Sequence, residues 1–270
     1  MSLIPDDELL HTELHDLACR VAREAAAMVL DRHGEVHKVE TKASDIDLVT
    51  EIDRASERMI VDRLVAARPD DGILGEEGTG IASTSGVEWV VDPIDGTTSF
   101  FYGLPGFSVS IAARVHGEVV AGAVAAPAIA TEYSALAGSG AFMNGTAISC
   151  RDTGELGKAL VATGFAPDHE RRARQGQLFA SIIPRIRDIR RMGSAALDLC
   201  AVAAGQVDAF YEVGLSQWDY AAGALIAHEA GAVTIVEPDR STQRAFVAAA
   251  SPGIATELFA LIRGLGADQV

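Results

Sequence analysis

The stretch Trp89–Phe107, WVVDPIDGTTSFFYGLPGF, constrains this chain more than any other. Trp89, Val90 and Val91 read as a strand. Asp92 and Asp95 follow, separated by Pro93-Ile94. Proline fixes φ and has no backbone donor, so the strand is expected to stop there. Gly96, Thr97 and Thr98 come next, leaving a carboxylate pair on a stiff turn at a strand's carboxyl end. Hard divalent cations such as Mg²⁺ take carboxylate and carbonyl oxygens at about 2.1 Å, and fill their remaining positions with water and phosphate oxygens. The same residue types also build ordinary surface turns, so the pair alone does not establish a metal site.

The remainder of the chain sets limits. Of its 270 residues 49% are hydrophobic and 22% charged, the composition of a globular protein. A net charge of −16 argues against a sequence-independent nucleic-acid surface, which needs clustered Lys and Arg. It leaves room for an anionic small substrate, because bound cations reverse the local field. Cys19, Cys150 and Cys200 form no CxxC pair, which fits reduced thiols and a cytoplasmic location. Neither a signal-peptide pattern nor a bilayer-length apolar run is seen. Asn144-Gly145-Thr146 reads as a hairpin turn.

Periodicity predicts an amphipathic helix over Glu8–His33, a polar stretch containing Lys42 over 35–44, and a second helix running to about Ala67. Asp47 and Asp53 flank Thr50 ahead of that helix; capping accounts for one of the three, not all. Ile73-Leu74 forms a short strand broken by Gly75-Glu76-Glu77-Gly78, where Glu76 is either a solvated charge or a further oxygen ligand. From Phe107 to Ser149 the chain alternates like a meander, predicting a mainly antiparallel sheet. From Leu160 onward strands and helices alternate, predicting a second, mixed sheet layer. The helix over Trp218–Ala230 is expected to bury Trp218, Ala222, Leu225 and Glu229. Asp219 at its start is either a cap or a ligand. Gly193-Ser194-Ala195 opens another helix, where polyol or anion contact is cheap and helix packing is the plain alternative. Glu212 lies near a strand end, solvated or accepting substrate hydroxyls.

Four stretches, DLVTEID, GEE, DPIDGTT and WDYAAGALIAHEAG, occur in the order and approximate spacing of the inositol monophosphatase family, which the chain resembles from about residue 10 to 265. The resemblance implies a five-layer αβαβα sandwich of the sugar-phosphatase type, α/β (α+β) in class with mixed and antiparallel sheets. It would form one domain over 1–270, with a metal-binding half over 1–150 and a substrate-binding half over 151–270. It also implies Mg²⁺-dependent phosphomonoesterase activity with two or three Mg²⁺ per site, inhibition by Li⁺, and a homodimer. By motif position Glu76, Asp92, the Ile94 carbonyl, Asp95 and Asp219 would be metal ligands. Thr97 and Asp47 would orient the attacking water, with Glu76 also counted as catalytic. Asp95, Gly96, Thr97, Thr98, Gly193, Ser194, Ala195, Glu212 and Asp219 would contact substrate. The chain departs from the family at Ser99, at Phe101-Tyr102 and at Tyr220.

The chemistry agrees with the resemblance. Phosphate monoesters are among the slowest bonds to hydrolyse in water, and paired cations held by converging acids can activate water and stabilise the leaving oxygen. The expected substrate is myo-inositol 1-phosphate. Fructose 1,6-bisphosphate, histidinol phosphate or a nucleotide 3′-phosphate are alternatives by the same mechanism. A regulatory binding protein is an alternative of another kind. No contact with nucleic acid or membrane is expected.

Overall fold

Residues 6–34, 39–41, 48–239, 242 and 244–266 are described by the structure, a computed structural model. The chain opens with helix α1 (Asp6–Asp31), a β1 (Val39–Thr41)–β2 (Leu48–Thr50) hairpin and α2 (Glu51–Ala67). Then come β3 (Gly72–Gly75), β4 (Gly80–Ile81), β5 (Val87–Asp95), the short α3 (Thr97–Phe101), β6 (Ser108–Val115), β7 (Glu118–Ala126), β8 (Thr131–Leu136), β9 (Ala141–Met143) and β10 (Thr146–Ile148). The second half runs β11 (Leu160–Thr163), α4 (His169–Ile182), β12 (Asp188–Arg190), α5 (Ala195–Ala203), β13 (Ala209–Leu215), α6 (Gln217–Glu229), β14 (Val233–Pro238), β15 (Ala245–Ala250) and α7 (Pro252–Gly264). Among the described residues no helix is long and apolar enough to cross a membrane.

Strands β3–β10 make an eight-stranded sheet of order 10-9-8-7-6-5-3-4, antiparallel except where β3 runs beside β5. Strands β11–β15 make a five-stranded sheet of order 12-11-13-15-14, parallel on one side and antiparallel on the other. Four apolar cores separate five layers. The first joins α1 and α2 to one face of the large sheet through Leu14, Val21, Ile60, Trp89 and Ile111. The second joins its other face to α5 and α6 through Val90, Val124, Cys200 and Ile226. The third packs α5 and α6 on the small sheet through Leu199, Phe210 and Val247. The fourth covers the small sheet's far face with α4 and α7 through Leu178, Tyr211 and Leu258. The αβαβα sandwich implied by the sequence is therefore present.

The middle layer shows why one expectation failed. Helix α6 is covered on both sides, so it buries Ala221, Ala222, Gly223, Ile226 and Ala227 rather than one stripe. Trp218 and Leu225 are only partly buried, and Glu229 reaches sideways to accept the Gly138 and Gly140 amides at 2.8 and 2.9 Å. A helix packed on two sides carries less of the 3.6-residue contrast from which a single buried stripe is read. All nine residues of α5 are buried for the same reason. One smaller expectation also shifts: part of the polar stretch before α2 pairs as the β1–β2 hairpin.

Candidate active site

Strand β5 does not stop at Pro93. It continues to Asp95 with a register shift, Asp92 opposite Ser110 and Asp95 opposite Ser108 on β6. Three steps on one strand thus match two on the other, the one-residue excess of a β-bulge. In a regular strand residues three apart face opposite ways. The extra residue restores the phase, so Asp92 and Asp95 face the same side. Proline is tolerated because the bulge interrupts the ladder where its missing N–H would otherwise be needed. Ile94, the other bulge residue, turns into the core at 1% exposure.

The parallel neighbour supplies the next acid. Gly75 pairs with Val91, and the Glu76 amide donates to the Val91 carbonyl at 3.2 Å, which brings Glu76 beside Asp92. Asp219 enters from the start of α6, where it accepts the Ser216 amide on Oδ2 at 2.6 Å. Asp95 accepts the Ser194 hydroxyl at 2.6 Å and the Ala196 amide at 2.7 Å, both on Oδ2, which ties the β5 turn to the first turn of α5. The junction is close. Gly96 has φ +94°, and a Cβ there would stand 2.5 Å from the Gly106 carbonyl oxygen and 3.0 Å from that of Gly193. Gly193, at φ +105°, faces the Ser99 hydroxyl equally tightly.

The electrostatics of these acids are unusual. Burial pushes the Asp92 carboxyl well above the ordinary range, and Glu76, Asp95 and Asp219 push it further the same way. A hydrogen bond joins Asp92 to Glu76. Burial, then Glu76 and Asp95, likewise hold Asp219 well above normal against the pull of the Ser216 amide. Asp95 rises to about 6, chiefly by burial and against the bonds from Ser194 and Ala196. The four carboxyls therefore act on one another across a shared space. Among the described residues, no group of three or more His, Cys, Asp or Glu stands close enough to hold a metal ion as it is.

Thr97 Oγ1 donates to Asp53 Oδ1 at 3.0 Å and lies 3.1 Å from the Ile94 carbonyl oxygen. Asp53 is fully buried. The sequence reading treated Asp53 only as a flank of Thr50 and gave Thr97 a partner in Asp47; Asp47 lies outside the described residues, as does Lys42. Asp53 was findable in principle, since an acid in a helix's first turn three residues past a polar cluster is already suspicious, but capping explained it equally well. Two serines were missed outright. Ser108 and Ser110 sit opposite Asp95 and Asp92 on β6, and reach the Ser194 hydroxyl at 3.2 Å and the Trp218 carbonyl at 3.4 Å.

On the far side of Asp95 lies a second charged group. Burial raises Glu212 to about 7, while Arg191 pulls it down and Asp95 pushes it up. Its carboxylate rests on Gly164, where a Cβ would overlap it outright. Ser194 caps α5 by accepting the Leu197 amide at 3.1 Å. Gly193, Ser194 and Ala195 thus stand at the α5 start beside Asp95, and Glu212 comes from β13. Gly96, Thr97 and Thr98 form the turn into α3, with Thr98 exposed.

Comparison with known proteins places the chain in a family. The family model for the inositol monophosphatase family matches residues 10–264. Inositol-1-monophosphatase SuhB of Mycobacterium tuberculosis is 46% identical over 96% of both chains. The solved structure titled Mycobacterium tuberculosis SuhB superposes with a TM-score of 0.83, covering 94% of this chain and 97% of that one. A Thermotoga maritima relative named fructose-1,6-bisphosphatase/inositol-1-monophosphatase is 40% identical over 80% of this chain and 82% of its own. The family match and these relatives define the class: this is a phosphatase. The chain belongs to the inositol monophosphatase family.

Proposed function

We propose that the protein is a Mg²⁺-dependent phosphomonoesterase acting on myo-inositol 1-phosphate. The observation that carries the reading is the buried acid set itself. Burial and three acidic neighbours all disfavour the charged form of Asp92, against one amide bond from Ile94 at 3.1 Å. Such a cluster is stable at neutral pH only with protons or cations between its members. The donor set is carboxylate and carbonyl oxygen throughout, with no thiol or imidazole, which suits a hard divalent cation. Glu76, Asp92, the Ile94 carbonyl, Asp95 and Asp219 would hold it. Bound there, Mg²⁺ would polarise the phosphate oxygens, lower the pKa of the attacking water and offset charge on the leaving oxygen.

The chain's own groups divide the remaining work. Thr97 gives its hydroxyl proton to Asp53, so its lone pairs are left to accept a hydrogen bond from the attacking water and aim it at phosphorus. Asp53 shares the orienting part with Asp47, which lies outside the described residues. The water oxygen bonds to phosphorus as the ester P–O bond breaks, and the leaving alkoxide takes up a proton. Gly96, Thr97 and Thr98 would line the phosphate side, with Gly193, Ser194, Ala195 and Glu212 on the polyol side. Li⁺ inhibition, a homodimer, and action without nucleic acid or membrane belong to the same reading.

One observation favours a second substrate, fructose 1,6-bisphosphate. Arg191 acts on Glu212, placing positive charge on the polyol side where a second phosphate would lie, and the Thermotoga relative's name includes that activity. A panel of phosphate esters compared by kcat/KM, with Mg²⁺ and Li⁺ titrated, decides between them. Thr97→Val in the same assay should lower kcat about 10²-fold, the usual scale for losing one positioned proton partner. Undiminished turnover in that variant would refute the water-orienting role.

A further inference from the structure

Helix α2 presents three buried polar side chains on one face, Asp53, Ser56 and Glu57, at 0%, 0% and 3% exposure. Their spacing of three and four residues stacks them in one stripe. Each holds a different piece of the site. Asp53 takes Thr97. The Ser56 hydroxyl donates to the Pro93 carbonyl at 3.1 Å, gripping the β5 bulge. Glu57 takes the turn that begins with Glu76: its Oε2 accepts the Glu77 amide at 2.7 Å, and its Oε1 accepts the Thr79 amide at 3.1 Å and the Thr79 hydroxyl at 2.6 Å.

Burying a carboxylate costs several kcal/mol before its bonds are counted. Here three donors from one four-residue turn supply those bonds. The turn is closed on its own account by Gly75 N–H donating to the Thr79 carbonyl at 2.8 Å. It is anchored to β5 by the Glu76 amide on Val91 at 3.2 Å. Gly75 is required for the approach, because a Cβ there would sit 2.6 Å from Glu57 Oε2. Glu76 is thus fixed between a ladder bond before it and a carboxylate clamp after it. An amide in place of the Glu57 carboxylate would turn an NH₂ toward a backbone N–H, so glutamine cannot reproduce the clamp.

We infer that Glu57 is a positioning residue for the cation site: by clamping the Glu77–Thr79 backbone it sets the place of Glu76 beside Asp92. The inference rests on the proposed cation-dependent reading and deepens it. Partners one layer behind metal ligands typically govern metal affinity by 10–100-fold.

The test uses the full-length protein, with Mn²⁺ as the probe. Mn²⁺ binding is followed by electron paramagnetic resonance and calorimetry in the parent, Glu57→Gln and Thr79→Val. Exchange of the Glu77 and Thr79 amides is followed in the cation-free proteins. Glu57→Gln should weaken Mn²⁺ binding about 10–100-fold, speed exchange at both amides, and recover most of kcat once the cation is saturating. Thr79→Val, which removes one donor of three, should show the same pattern more weakly. A parent that binds Mn²⁺ and a Glu57→Gln variant that binds it equally well, with only its melting temperature lowered, would reduce Glu57 to a structural residue and overturn the inference alone. A parent that binds no divalent cation would overturn the cation-dependent reading and the inference together.

Discussion

Two groups of acids in this protein differ in what surrounds them. Asp71 and Asp208 are 3% and 6% exposed and supplied with donors. Asp71 accepts the Trp89 indole at 3.0 Å, the Ser85 hydroxyl at 2.7 Å and the Arg68 guanidinium at 2.5 Å. Asp208 accepts the Thr153 hydroxyl at 2.5 Å and the Leu160 amide at 2.7 Å. Asp92 meets chiefly Glu76, Asp95 and Asp219, while Asp95 and Asp219 face acids as well as the donors Ser194, Ala196 and Ser216. The first group is complete within the polypeptide and serves the fold. On the proposed reading the second is completed from outside, by protons or by cations, and serves the reaction. Asp92 is as buried as Asp71 and Asp208, and differs from them in the charge of its neighbours.

The largest effect should come from replacing one acid of each kind. Asp92→Asn should lower kcat by about 10³-fold or more, equivalent to about 4 kcal/mol at 1.36 kcal/mol per tenfold. It should leave the cation-free protein no less stable, since it removes a group that burial and its neighbours penalise. Asp71→Asn should do the reverse: a loss of about 3–5 kcal/mol of stability, as when one partner of a buried pair is removed, with the folded fraction keeping its turnover. Thermal melts beside initial rates check both, and similar behaviour of the two variants would dissolve the distinction.

The next effect is on stability against pH. Asp95 is raised to about 6 in the folded protein, against about 3.9 in an unfolded chain. The folded state therefore holds the extra proton between those values. Its contribution to stability is full below about pH 4 and is lost as pH rises through about 6. Asp92 and Asp219 shift in the same direction. The cation-free protein should accordingly melt at lower temperature at pH 7 than at pH 5, and saturating Mg²⁺ should flatten that slope. Asp92→Asn should flatten it without cation. A slope unchanged in both would mean the acids do not interact.

Much of the site was legible because its acids lie in short motifs at strand and helix ends, where few residue types serve. Less was legible where the signal depends on partners far along the chain. The bulge that brings Asp92 and Asp95 to one face appears only once Ser108 and Ser110 are set opposite them. Asp53 and Glu57 look like any acids of an amphipathic helix until Thr97 and the Glu77–Thr79 turn arrive against them. Pro93 signalled the end of a strand and marks a bulge within it. For α6, coverage on both sides erased the pattern from which a buried face is read.

The smallest effect concerns the polyol side. Gly164→Ala puts a methyl into the Glu212 carboxylate, and should raise KM about tenfold, the cost of roughly one disturbed hydrogen bond to a charged group, with kcat and cation affinity nearly unchanged. An equal fall in kcat would mean that Glu212 belongs with the reacting acids instead.

The most direct test of the central claim is proton release on cation binding. Mn²⁺ is titrated into the cation-free protein near pH 6 by calorimetry in two buffers of different ionisation enthalpy. Acids that neutralise one another with protons must give those protons up to bind a cation, so release of at least about one proton per protein is expected, and less in Asp92→Asn. Binding without release, or no binding, would contradict the account.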